Sequence, residues 1–174
     1  MGHTEKYKVG GSKGEDFQAW IALAREVEPL FGPMADEPGF RDALQQAIDD
    51  KTAFCIRACP DHGKAVLVGG IVISKPANAI AWLAVSGKYR KMGYGRDLLA
   101  YALTQLNSEE DIIVQTFDEF IPEGKAARKL YLEFGFVDDQ DGGLNPAGVS
   151  TVIMRRVHLA GSAEQQYDAG EKEK

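Results

Sequence analysis

The chain has 174 residues, a formal charge of -6 at pH 7, 44% apolar residues and 26% charged residues. Those values fit one ordinary globular domain with its own core, and they exclude a fibrous or a disordered class. A net acidic chain is also a poor nonspecific binder of nucleic acid or anionic membrane, and no apolar run nears the ~18 residues that span a bilayer.

The segment KYKVGG reads as a short first strand. From Asp16 to Phe31, Phe17, Trp20, Ile21, Ala24, Val27 and Phe31 recur at helical spacing, and Pro33 is expected to stop that helix. A second helix is expected over Pro38 to Asp50, with Phe40, Ala43, Leu44, Ala47 and Ile48 on one stripe. Three strand-like segments follow, TAFCIRA, AVLVGGIVIS and AIAWLAV, and the intervening CPDHGK and KPAN read as hairpin turns. Leu98, Leu99, Ala102, Leu103 and Leu106 mark a third helix ending near Asn107, and DIIVQTF is a buried strand. Pro122 suits the first turn of a fourth helix that reaches about Phe134 and stops at Gly135. FGFVDD begins another strand, QDGGLNPA reads as a loop, and GVSTVIMRRVHL is the last strand.

This order predicts an α/β (α+β) fold: a mixed, mostly antiparallel sheet of about six to seven strands flanked by about four helices. Residues 1–158 are expected to form the single domain, and the polar, unpatterned residues 159–174 a disordered tail. The two cysteines, Cys55 and Cys59, lie in the apolar run KTAFCIRACP, whose extended conformation would set their spacing. Four residues of strand separate their Cα atoms by roughly 13 Å, too far for a disulfide, so reduced thiols and a cytoplasmic protein are expected. The three scattered histidines suggest no metal site.

The stretch VSGKYRKMGYGRDLLAYAL is the most informative one. It sets four cations (Lys88, Arg90, Lys91, Arg96) and three glycines (Gly87, Gly93, Gly95) between an apolar strand and an amphipathic helix. A helix start offers unpaired N–H groups and the positive end of its dipole, and glycine lets an anion approach the backbone. The combination reads as a pyrophosphate cradle. It is not a P-loop, which needs GxxxxGK[ST], and GYGRDL lacks the third glycine of a dinucleotide fingerprint.

The run RKMGYG, with Arg90, Gly93 and Gly95, resembles the central R/Q-x-x-G-x-G/A motif of the GNAT superfamily, the acyl-CoA-dependent N-acyltransferases. AARKLYLEFGF, Ala126 to Phe136, is similar to a second element of that family. The resemblance is specific from about Ala79 to Val137. It implies acetyl-CoA as co-substrate, no metal, and direct attack of an amine on the thioester in a ternary complex. The absence of a convincing Cys or Ser nucleophile with a partnered base agrees with direct transfer.

The resemblance further implies a cleft between the fourth and fifth strands. Leu83, Ala84 and Val85 would meet the pantetheine arm there, and the Val85 N–H would face the developing oxyanion. Arg90, Lys91, Met92, Gly93, Tyr94, Gly95 and Arg96 would hold the pyrophosphate. Gly124, Ala127, Arg128 and Tyr131 share one helical face that would line the cleft. Tyr131 matches the family's proton donor to the departing thiolate. Gly124 departs from the pattern, since many members carry asparagine there.

A primary amine of pKa near 10.4 is less than about 0.1% neutral at pH 7, so a proton acceptor or bulk water is needed. The fourth strand has no carboxylate; Asp118 and Glu119 are the nearest candidates, and Glu37 is another. The stretch EPLFGPMADEPGF occupies the place of the acceptor wall, with Phe31 and Glu37 as substrate-binding candidates. Its carboxylates Glu28, Asp36 and Glu37 suggest a cationic acceptor with some apolar surface. The expected partner is a small-molecule or peptide amine, not nucleic acid or membrane, and the chain is expected to be a monomer or a homodimer. Two other readings of the same fold are a transferase of a longer acyl group and an acyl-CoA-binding sensor without turnover.

Overall fold

The computed structural model describes residues 7–59 and 63–160. Seven strands form one sheet: β1 (Val9–Gly11), β2 (Ala53–Ala58), β3 (Val66–Ser74), β4 (Ala79–Val85), β5 (Ile112–Phe117), β6 (Val137–Leu144) and β7 (Ser150–Arg156). Their order across the sheet is β1-β2-β3-β4-β5-β7-β6. All neighbours run antiparallel except β4 and β5, which are parallel. The helices are α1 (Phe17–Phe31), α2 (Pro38–Asp49), α3 (Tyr94–Gln105) and α4 (Lys125–Glu133).

The continuous apolar run of β2 follows from burial on both faces. Phe54 and Ile56 join Leu98, Leu99 and Ala102 of α3, whereas Ala53 and Cys55 join Trp20 of α1 and Leu44, Ala47 and Ile48 of α2. Full burial of each large aliphatic side chain stabilises the fold by about 1.5–3 kcal/mol. Trp20 packs on the sheet where Gly70 has no side chain: a Cβ there would sit 2.3 Å from the outer edge of the indole ring. The Trp20 indole N–H donates to Ser12 Oγ at 2.9 Å, which satisfies its polar edge inside the core.

The architecture agrees with the expected mixed sheet and four helices, with corrections at several boundaries. The first strand is only Val9–Gly11. Helix α1 ends through Gly32 at φ 97, one residue before Pro33, and the Gly32 N–H donates to the Glu28 carbonyl at 2.8 Å. Pro122 opens a 3-10 turn, Pro122–Gly124, and α4 itself starts at Lys125. The largest correction concerns QDGGLNPA, where β6 continues to Leu144. Register shifts after Asp138 and Asp141 bulge this edge strand and let it absorb residues of poor strand propensity. Cys55 is a buried free thiol and Cys59 an exposed one. Among the described residues no helix is long and apolar enough to cross a membrane. The tail expectation for residues 161–174 falls outside the described residues.

Candidate functional site

Strands β4 and β5 pair only through Ala79 with Ile113 and Ile80 with Val114. Beyond Ile80 they part, and β5 stays paired along its other edge with β7 from Ile112 to Phe117. The opening therefore exposes the β4 backbone from Ala81 to Val85. A register shift in the β3–β4 ladder at Val72/Ile73 coincides with the start of the gap.

Ladder parity decides which groups face it. The Ser86 N–H donates to the Val68 carbonyl at 2.9 Å, so Ala84 and Trp82 also bond toward β3. The N–H and C=O groups of Leu83 and Val85 consequently turn to the open side. Of these, the Val85 carbonyl accepts Arg90 Nε at 3.3 Å. The Ala84 side chain packs with Leu23, Ala24 and Val27 of α1 instead.

The strand leads into the basic arch. Lys91 and Gly93 both have left-handed backbone, φ 63 and φ 88. The Gly93 conformation is one that L side chains rarely adopt, and it caps α3. Asp97 N–H donates to the Gly93 carbonyl at 3.1 Å, whereas no acceptor for the N–H groups of Tyr94, Gly95 and Arg96 is found among the described residues. Gly95 is not demanded by packing, since a Cβ would make ordinary contacts of 3.6 Å with Leu130 and 3.7 Å with Val85. Three free donors, an αL turn and the α3 dipole are the physical requirements of an anion cradle, so the residues present fit a pyrophosphate.

The cations of the arch differ in availability. Lys91 is exposed with no ionic partner among the described residues, and Arg90 is exposed apart from its bond to Val85. Arg96 is paired with Glu133 of α4 and lies over the Phe134 ring at 5.5 Å. Lys88 lies over Tyr89 at 5.3 Å. Met92 is exposed, and its carbonyl accepts the Tyr7 hydroxyl at 3.4 Å. The Tyr94 ring is buried edge-on to Tyr7, with centroids 4.4 Å apart, so its side chain serves packing. The carboxylate of Glu26, on α1, holds the arch entrance: it accepts the Gly87 N–H at 2.6 Å and the Ser86 hydroxyl at 3.2 Å.

On α4, Tyr131 is 3% exposed and sits in the cluster that contains Ile80 and Val114, the last paired residues of β4 and β5. Burial pushes its phenol above the ordinary value. Among the described residues its hydroxyl has no hydrogen-bond partner, and its ring meets Phe136 at 5.6 Å. Ala127 packs against the same cluster. The buried Arg128 makes a two-point ion pair with Asp138 at 2.9 and 3.0 Å, which ties α4 to β6. Gly124 is a packing glycine: a Cβ would lie 2.4 Å from Phe117 Cβ, which accounts for the missing asparagine.

The carboxylates after β5 are arranged unequally. Asp118 accepts the Phe120 N–H at 3.3 Å and the Ser150 hydroxyl at 3.4 Å, whereas Glu119 is exposed. Both add to the field that holds Arg128 charged, after the larger effect of Asp138.

On the α1/α2 face, Phe31 bridges the parted strands, with ring centroids 6.4 Å from Trp82 of β4 and 5.1 Å from Phe117 of β5. Two of the three expected acceptor carboxylates are already engaged. Glu28 accepts the N–H groups of Met34 and Ala35 at 2.9 and 2.7 Å, and Asp36 pairs with Arg25 at 2.8 Å. Only Glu37 stands exposed without a side-chain partner among the described residues. An apolar cavity of about 240 Å³ lies beside Trp82, between Trp20, Phe40, Leu44 and Val72. A larger open hollow of about 600 Å³ lies by Ser108, Phe134 and Arg156 and contains none of the predicted residues.

Tyr7, Glu26, Phe117, Glu133 and Asp138 escaped the sequence reading. Each acts across a separation of seven or more residues, and no motif or period links it to its partner. A structure of a GNAT-family acetyltransferase from Bacillus cereus shares 15% identity and a TM-score of 0.67, covering 88% of this chain and 99% of its own. The ribosomal-protein-S18-alanine N-acetyltransferase from Escherichia coli gives 14% and 0.64, with coverages of 93% and 99%. A NatC complex bound to Gag peptide and CoA gives 16% and 0.67, with coverages of 88% and 99%. At such identities the likeness is one of fold, and no curated protein sequence matches the chain. The family model described as acetyltransferase (GNAT) family matches residues 19–136, which is more than half of the sequence and includes the parted strands, the arch and α4. The chain belongs to the GNAT acetyltransferase family.

Proposed function

We propose that the protein transfers the acetyl group of acetyl-CoA directly to a primary amine. The observation that carries this reading is the gap between β4 and β5, which presents the Leu83 and Val85 main chain and ends at the unpaired N–H groups of α3. In this reading Leu83 and Val85 bind the pantetheine arm, and the backbone from Lys91 to Arg96 holds the pyrophosphate. The bound thioester supplies an activated acyl carbon. The Val85 N–H stabilises charge on its oxygen as the amine adds and the C–S bond breaks. Tyr131, kept protonated by burial, gives its proton to the departing thiolate. Asp118 or Glu119 removes the proton of the attacking amine, directly or through water.

For the acceptor, Phe31 and Phe40 flank Trp82 as an apolar wall, and Glu37 is the carboxylate left to greet a cation. This supports an amine with apolar surface, on a small molecule or a peptide. Free thiols at Cys55 and Cys59 support a cytoplasmic protein. A sensor that binds acyl-CoA without turnover is the second reading, favoured by one specific observation: β4, Ala79–Val85, carries no carboxylate to act as a base beside the gap.

Calorimetric titration with acetyl-CoA, beside Gly93→Glu, tests the cofactor site. The wild type is expected to bind, and the variant to lose binding through strain at φ 88 and charge repulsion. An amine screen by thiol release then separates enzyme from sensor. A folded wild type that binds no acetyl-CoA, alone or with amines present, refutes the reading.

A further inference from the structure

We propose that Asn78 is a positioning residue for the acyl-CoA cleft: it fixes the point at which β4 and β5 part, and through it the width of the gap at Leu83 and Val85. The inference rests on the cofactor reading given above. Asn78 directly precedes β4, is 5% exposed and has left-handed backbone, φ 47, which asparagine tolerates better than most residues.

Its groups are all engaged, and their partners come from three elements. The side-chain Nδ2 donates to the carbonyls of Asn107 at 2.9 Å and Asp111 at 3.0 Å, and Oδ1 accepts the Asn107 N–H at 2.9 Å. The main-chain N–H donates to the Lys75 carbonyl at 3.2 Å, closing the β3–β4 turn, and the Asn78 carbonyl accepts the Ile113 N–H at 3.3 Å. One residue thus stitches the β3–β4 turn to the loop between α3 and β5 and to the start of β5 itself. The Ile113 bond belongs to the Ala79–Ile113 pair, which with Ile80–Val114 is all that pairs the two strands among the described residues.

A lever converts this anchoring into gap geometry. Val85 lies five residues beyond Ile80, roughly 16 Å at ~3.3 Å per residue, so a tilt of about 5° between the strands changes the gap there by about 1.4 Å. A misplacement of about 1 Å can slow a reaction about a hundredfold, and the same change in gap width lengthens main-chain hydrogen bonds to a ligand beyond about 3.2 Å. A plain loop-stabilising role predicts lower thermal stability alone. A positioning role predicts weaker coenzyme A binding in protein that is still folded.

Asn78→Asp keeps volume and backbone tolerance but aims a carboxylate at two carbonyls; Asn78→Gly removes the side chain and serves if the first variant does not fold. Ile48→Ala, which empties volume in the α1/α2 cluster, is the stability control. The affinity for coenzyme A is measured by calorimetry at a temperature where each protein is folded, together with amide exchange at Ile113. The Asn78 variants are expected to bind coenzyme A at least tenfold more weakly and to exchange Ile113 faster than their loss of global stability accounts for, with Ile48→Ala within twofold of wild type in affinity and its Ile113 exchange explained by global stability alone. Wild-type affinity in the Asn78 variants, or equal weakening in Ile48→Ala, overturns the positioning role and leaves the cofactor reading intact. A wild type that binds no coenzyme A overturns the cofactor reading and the inference with it.

Discussion

Replacing Gly124, the residue just before α4, by alanine isolates the reason for the glycine there. The new Cβ would lie 2.4 Å from Phe117 Cβ and 2.9 Å from its Cγ, where carbon atoms normally rest about 3.5–4.0 Å apart. Backbone strain does not enter, because φ -86 and ψ -11 suit any L-residue. Phe117 is 6% exposed and backed by Phe31, so it has little room to retreat. Crowding of this kind costs about 1–3 kcal/mol, and the stiffer unfolded chain returns about 0.4–1 kcal/mol. Because the contact is far below van der Waals separation and Phe117 is held, the crowding cost lies toward the upper end, for a net loss of about 1–2.6 kcal/mol and a melting temperature lowered by roughly 2–10 °C in a chain of this size. Scanning calorimetry of both proteins measures it. A Gly124→Ala variant as stable as wild type would show that Phe117 yields and that packing does not explain the glycine.

Tyr131→Phe should lower kcat by about a hundredfold and leave acetyl-CoA affinity within twofold, since the ring stays packed on Phe136. Because burial raises the folded phenol above its ordinary value, its contribution to stability is complete below about pH 10 and is lost as pH rises further. A rate profile should therefore show no falling limb from this group below about pH 10; a limb near pH 8 that vanishes in the phenylalanine variant would contradict that. The N–H groups of Met34 and Ala35 hold the Glu28 carboxyl below the usual range. Its contribution is present above the unfolded value of about 4.3 and lost as pH falls through the lower folded one. Glu28→Gln should melt below wild type at pH 6, with the difference shrinking toward pH 3. A difference that is constant with pH would point to another origin.

The helices and the central strands were legible because their signals are local: helical stripes in α1 and α2, apolar runs in β2, β3 and β5, and punctuation by glycine and proline. The arch was legible for the same reason, as Arg90, Gly93 and Gly95 fall within six residues. Strand β6 was not, because VDDQDGGL has the composition of a loop and becomes a strand only through pairing with β7 and two bulges. Nor could spacing show that Arg96 meets Glu133 or that Arg128 meets Asp138. Long-range pairing consumes charges that look free in sequence. Glu28 and Asp36 show the same on the acceptor side, where carboxylates that suggest a cation hold their own loop together.

Helix α1 touches both walls of the site. Glu26, near its middle, grips the backbone where β4 turns into the arch, and Phe31, in its last turn, bridges Trp82 and Phe117. The two contacts lie five residues apart on one helix, with Pro29 between them, so a shift of α1 moves both. Linkage of this kind is reciprocal: any ligand beside Phe31 that displaces α1 changes affinity at the arch by the factor with which a ligand at the arch changes affinity beside Phe31. Substrate synergy, measured as the ratio of two dissociation constants, is the quantity in which Glu26 would show itself.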